Sequence, residues 1–160
     1  MSKPNDSAPN PAFDTEQVIR EYLPQIIHLS LETSEDNHPW VCEVHFAFDD
    51  DLALYFVSDR SRRHCVELRA NPKIAGNIVT QHHRHQKVRG VYFEGTAAEL
   101  EDVDEHHPGV IAYNQRFTLP PQAVQAASAA RLYKITVSDF YVFDGYVSDP
   151  PRKYHLPWKP

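Results

Sequence analysis

Leu54-Tyr-Phe-Val-Ser-Asp-Arg-Ser-Arg-Arg-His-Cys-Val-Glu-Leu-Arg-Ala-Asn-Pro-Lys-Ile-Ala-Gly-Asn-Ile-Val79 is the stretch on which the reading of this chain turns. It has the pattern of a strand, a short basic loop, a helix ended by Asn71-Pro72, and a second strand. Ser61, Arg62 and Arg63 fall where the helix begins. Free backbone N–H groups and the positive end of the helix dipole meet two guanidinium groups at that point, a combination suited to holding a phosphate.

Upstream, residues 1–12 alternate Pro, Asn, Ser and Asp with little to bury, which predicts a disordered lead-in. Val18, Ile19, Tyr22 and Leu23 at helical spacing predict a first helix over residues 15–22, with Asp14 as N-cap and Pro24 as the stop. Strands are expected over residues 26–33 and 40–48, separated by a turn at residues 34–39. In the second of these, Trp40, Cys42, Val44, Phe46 and Phe48 share a core face, and Val41, Glu43, His45 and Ala47 share the other. Asp49-Asp-Asp51 then turns the chain into the opening stretch.

Downstream, residues 80–88 read as a polar, histidine-bearing connection and residues 90–101 as a long strand in which Gly95 marks a bulge or a close backbone contact. Asp102 and Glu105 resemble a capping box for a helix running towards Phe117. A small Ala-rich helix near residues 123–127 and strands at 132–137 and 140–144 follow. Residues 146–160 are rich in Pro and aromatics and are expected at the surface rather than in a sheet.

Composition bounds the function. The 160 residues, 41% hydrophobic and 24% charged, suit one domain with a substantial core. A formal net charge of −6 argues against broad nucleic-acid binding, which needs a basic face, while leaving room for a local basic pocket. With neither an apolar h-region nor a long apolar run, no signal peptide and no membrane span are expected, and the cytoplasm is the expected compartment. Cys42 and Cys65 lack metal or redox spacing and read as reduced packing thiols. The cluster His82, His83 and His85 reads as a solvated turn without a carboxylate or cysteine partner, so no metal site is assigned.

Taken in order, Ile27-His-Leu-Ser-Leu-Glu-Thr33, residues 41–48, the acidic turn, Leu54-Tyr-Phe-Val-Ser58, Ser61-Arg-Arg63, Leu68-Arg-Ala-Asn-Pro-Lys73 and Val91-Tyr-Phe-Glu-Gly-Thr96 resemble the pyridoxamine 5′-phosphate oxidase-like, FMN-binding split-barrel superfamily. The second half, with Ala112-Tyr-Asn-Gln-Arg-Phe117 and Leu132-Tyr-Lys-Ile135, resembles a small bacterial branch of it. The fold so implied is mainly β with peripheral helices, a six- to seven-stranded antiparallel split β-barrel over residues 13–145, followed by an extended tail at 146–160 that is a candidate dimer contact.

The resemblance further implies a homodimer with FMN in two equivalent clefts between subunits. Ser58, Ser61, Arg62 and Arg63 correspond to the residues that hold the flavin phosphate, and the backbone of Glu43, Val44, His45, Phe56 and Val57 to the wall against the ring or its ribityl chain. Arg89 and Gly90 fall where relatives contact ring or phosphate. Trp158 reads as packing or a dimer contact, with stacking on the flavin as the alternative.

An oxidoreductase working with a small-molecule substrate or a reduced nicotinamide or deazaflavin donor is the implied activity. A haem-binding or non-catalytic flavin-binding barrel is the alternative. The chain ends in Arg152-Lys-Tyr-His-Leu-Pro-Trp158, without the arginine and histidine substrate motif of the vitamin-metabolising oxidases, so pyridoxamine phosphate oxidation is not implied.

Overall fold

A computed structural model describes residues 13–125 and 127–159. The expected lead-in at residues 1–12 therefore lies outside the described residues. Helix α1 (Thr15–Tyr22) begins as expected, with Asp14 accepting from the Gln17 N–H, and one 3-10 turn at Leu23–Gln25 carries it past Pro24.

Strands β1 (His28–Glu35) and β2 (His38–His45) form a hairpin whose turn is shorter than expected. Asp36 and Asn37 take φ values of 48° and 62°. Both residue types tolerate the left-handed region, so two residues reverse the chain and the strands extend to Glu35 and His38. At Phe46 the chain leaves β2 and re-enters the sheet as β3 (Ala47–Phe48), which pairs with β4 (Leu54–Asp59).

Helix α2 (Arg63–Ala70) follows the basic loop, then β5 (Lys73–Val79) and β6 (Arg89–Glu99). Helix α3 (Pro108–Arg116) starts later than the capping box suggested. His107 provides the N-cap by accepting from the Gly109 N–H, and Pro108 occupies the first turn, where a missing N–H costs nothing. A 3-10 turn at Pro121–Val124 replaces the expected Ala-rich helix.

Strand β7 (Ala130–Asp144) is continuous where two strands were expected. Its register against β6 pairs Glu94 with Asp139 and Gly95 with Val137, so Ser138 is the extra residue of a bulge. Gly95 is required there by close approach, since a Cβ would lie 2.2 Å from the Thr136 carbonyl oxygen. The tail also departs from expectation: β8 (Arg152–Pro157) pairs with the second half of β7, and the Trp158 N–H donates to the Ser138 carbonyl.

The sheet path is β2-β1-β5-β6-β7-β4-β3, all pairs antiparallel, with β8 off the path beside β7. Because β2 and β3 are joined through Phe46, the first and last strands of the path are contiguous in the chain and the sheet curls into a split barrel. Leu29, Leu31, Phe46, Phe56, Val91, Phe93, Ile135 and Val142 fill its interior, with Ile19 and Leu23 of α1 and Cys65 and Leu68 of α2 joining the same core. Each such side chain contributes about 1.5–3 kcal/mol by leaving water. A second apolar cluster lies under α3, where Tyr55 packs on the bare backbone of Gly109 with Val110 and Tyr113. Among the described residues no helix is long and apolar enough to cross a membrane.

Candidate functional site

The barrel splits between β2 and β4. Residues 47 and 48 pair with β4, but β2 pairs only with β1, and residues 56–59 of β4 pair only with β7. Two strand edges with unpaired backbone groups thus flank a cleft of about 820 Å³. His28, Trp40, Cys42, Glu43, Val44, His45, Val57, Ser58, Arg62, Arg63, His64 and Tyr113 line it.

The cleft runs along β2. At one end the Arg63 guanidinium sits 4.5 Å over the Trp40 ring; in the middle Cys42 faces His64; at the other end His45 stacks on Phe117 at 5.3 Å, beside Tyr113. The end at Trp40 therefore carries the cations of the basic loop, and the other end is walled by the rings of His45, Phe117 and Tyr113, with the Arg116 guanidinium 5.9 Å from Phe117.

The two arginines of the basic loop differ in role. Arg63 pairs with Glu67 at 2.7 Å, and the other Glu67 oxygen accepts from Thr33. Glu67 is buried; burial pushes its carboxyl upward, but the Thr33 hydroxyl and the Arg63 guanidinium more than offset this and hold it below the ordinary range. Arg63 is thus a wall of the cleft, clamped between Glu67 and Trp40. The Arg62 guanidinium has no hydrogen-bond or ion-pair partner among the described residues, although its backbone N–H donates to the Asp59 carbonyl, and as the α2 N-cap its side chain offers the first-turn N–H groups no acceptor. A free guanidinium and uncapped helical N–H groups at one mouth form a donor set that fits a phosphate. Ser61 stands beside them but spends its hydroxyl and N–H on Asp59.

Of the residues singled out in the sequence, Glu43, Val44, His45, Val57, Ser58, Arg62 and Arg63 meet in this cleft. The Phe56 side chain points into the core, stacked on Tyr133 at 4.9 Å. Arg89 is engaged by the buried Asp144 at 2.7 Å, and Gly90 is buried against Val79. Trp158 packs edge-on to Phe140, donates to the Asp51 carbonyl and borders a separate groove of about 720 Å³ near Gly95. None of these three lines the β2–β4 cleft of its own chain. Cys65 is fully buried, and burial raises its thiol.

Trp40, expected in the core by alternation, is 40% exposed because the β1–β2 hairpin projects beyond the barrel. Cys42, expected to be a packing thiol, is half-buried and lines the cleft, as do His28, His64 and Tyr113, which the sequence did not single out. His64 had a legible signal: a first-turn side chain leans back towards the helix N-terminus. Tyr113 had none, since only the tertiary packing of α3 brings it over the cleft.

A profile of the pyridoxamine 5′-phosphate oxidase family matches residues 15–144. A UPF0306 protein of Photorhabdus laumondii is 29% identical over 91 residues, 56% of this chain and 64% of the relative, so the alignment spans less than two thirds of that relative. Among solved structures, a haem-binding protein from Mycobacterium smegmatis superposes with a TM-score of 0.70 at 16% identity, over 86% of this chain and 55% of that one. An FAD-binding protein from Mesorhizobium loti gives 0.60 at 17% identity, over 81% and 94%. At such identities the structures speak for the fold, and the profile, which covers most of the chain, places it: this protein belongs to the pyridoxamine 5′-phosphate oxidase family, with relatives among the UPF0306 proteins.

Proposed function

We propose that this protein binds FMN in the β2–β4 cleft, with the phosphate at the start of α2 and the ring towards the aromatic end. The observation that carries the reading is Arg62, an unpaired guanidinium beside uncapped helical N–H groups at the cationic mouth of the cleft. The unpaired edges of β2 and β4 supply backbone donors and acceptors for a heteroaromatic ring, and Val44, Val57 and Tyr113 supply apolar contact. When bound, the flavin supplies hydride or electron transfer. The chain's residues grip the phosphate, hold the ring along β2, and leave room for a small-molecule substrate or a reduced nicotinamide or deazaflavin donor. The active form is a homodimer in the cytoplasm, in which Arg89 and Trp158 reach the partner's cleft and the buried Gly90 only supports Arg89.

The test is binding of FMN at one per subunit to flavin-free protein, read by flavin absorbance, together with NAD(P)H or reduced deazaflavin oxidation by the loaded protein. Failure to bind FMN removes the reading; binding without turnover leaves a flavin-binding module.

A haem-binding barrel is the second reading, favoured by three imidazoles, His28, His45 and His64, on one cleft. It predicts a Soret band on reconstitution with haem and competition between haem and FMN.

A further inference from the structure

His64 meets a polar partner at each ring nitrogen. Nε2 lies 2.8 Å from Ser58 Oγ and Nδ1 lies 3.3 Å from Cys42 Sγ, and the residue is only 8% exposed. Every element around it contributes a group. From β1 comes His28, from β2 Cys42, Glu43 and His45, from β4 Ser58, from the loop before α2 Arg62, from α2 Arg63, Cys65 and Glu67, and from α3 Tyr113 across the cleft.

Burial, and then Arg62, hold the imidazole below its ordinary range, with Glu67 opposing. Burial, with Cys65, Glu43 and Glu67 adding, pushes the Cys42 thiol up to about 11. At neutral pH these surroundings favour a neutral ring and a protonated thiol. Either neutral tautomer fits: Cys42 S–H donating to Nδ1 with Nε2–H donating to Ser58 Oγ, or Ser58 O–H donating to Nε2 with Nδ1–H donating to the Cys42 sulfur.

A phosphate dianion against Ser58 and Arg62 brings negative charge beside a ring that otherwise feels the Arg62 cation. Opposite charge favours the protonated imidazole. The imidazolium needs no movement of heavy atoms, because Nδ1–H then donates to the Cys42 sulfur and Nε2–H to Ser58 Oγ.

Resting on the phosphate site proposed above, we propose that His64 takes up a proton from solvent when a phosphorylated ligand binds, making it a positioning residue that couples the affinity of the cleft to pH. By linkage, FMN affinity rises as pH falls from neutrality, by up to about tenfold per unit while the bound ring is protonated and the free ring is not.

Titration calorimetry of the flavin-free full-length protein with FMN at neutral pH, in two buffers of different ionisation enthalpy, reads the proton directly. The phosphate itself can only release protons when it binds as a dianion, so net uptake has to come from the protein. The expected result is uptake approaching one proton per FMN in the wild type, none with riboflavin, and none in His64→Gln, whose amide still reaches Ser58. FMN binding without uptake, or uptake that persists in His64→Gln, overturns the role of His64 and leaves the phosphate site standing. No FMN binding by the wild type overturns both. Should His64→Gln fail to fold, imidazole NMR titration of the wild type with and without FMN decides: an upward shift of a unit or more is expected, and no shift refutes the proposal.

Discussion

Replacing Arg62 with Ala separates a phosphate grip from a solvated helix face. The Arg62 guanidinium has no internal ion pair or hydrogen bond, so its loss leaves the folded protein without an orphaned partner. If it holds a phosphate, the variant loses a charge-assisted hydrogen bond of about 1.5–3 kcal/mol. That corresponds to FMN binding weakened about 10- to 150-fold. Fluorescence titration with FMN and riboflavin, alongside thermal unfolding without ligand, checks it. The expected pattern is a large loss for FMN, little change for riboflavin, and a Tm within about a degree or two of wild type, as for a surface substitution. An Arg62→Ala protein that binds FMN within about twofold of wild type, or that loses riboflavin to the same degree, refutes the assignment.

Arg63→Ala is expected to do the reverse in part, lowering stability by about 1–3 kcal/mol in urea unfolding because it strands the buried Glu67 carboxylate. Glu67 titrates lower in the folded than in the unfolded chain, so its contribution is full above the ordinary carboxylate range and is lost as pH falls through the folded value. The Tm gap between wild type and Glu67→Gln should accordingly be widest near neutrality and close in acid. Gly95→Ala drives a methyl into the Thr136 carbonyl, and a cost of at least about 1–3 kcal/mol in the same unfolding assay is expected.

Local chemistry made much of this fold legible. Asp14 and Pro24 bracket α1, Gly95 marks the β6–β7 bulge, and the strand pattern points to a mixed β-barrel, while its split form is implied by the resemblance to a known family. Readings failed where a tertiary partner overrode a local signal. Ser138 and Asp139 look like a break between strands, yet Ser138 is accommodated as a bulge residue held by the Trp158 N–H, and β7 runs on. The tail looks unfit for a sheet because of its prolines, but β8 pairs along one edge of β7 only, where proline is tolerated.

The site divides in the same way. Arg62 and Arg63 stand out together as a basic pair, and the local signal that tells them apart is Glu67, one helical turn after Arg63, where Arg62 has Val66; Trp40 and Thr33, brought in from the hairpin, complete the commitment of Arg63 and leave the Arg62 side chain free. The Cys42–His64–Ser58 chain joins three elements and has no contiguous motif to betray it.

A crystal structure of the protein soaked or co-crystallised with FMN locates the flavin phosphate. The phosphate is expected within hydrogen-bond distance of Arg62, Ser58 and the first N–H groups of α2, with the ring along β2 towards Tyr113. A phosphate seated elsewhere, such as the groove beside Gly95 and Trp158, would contradict it.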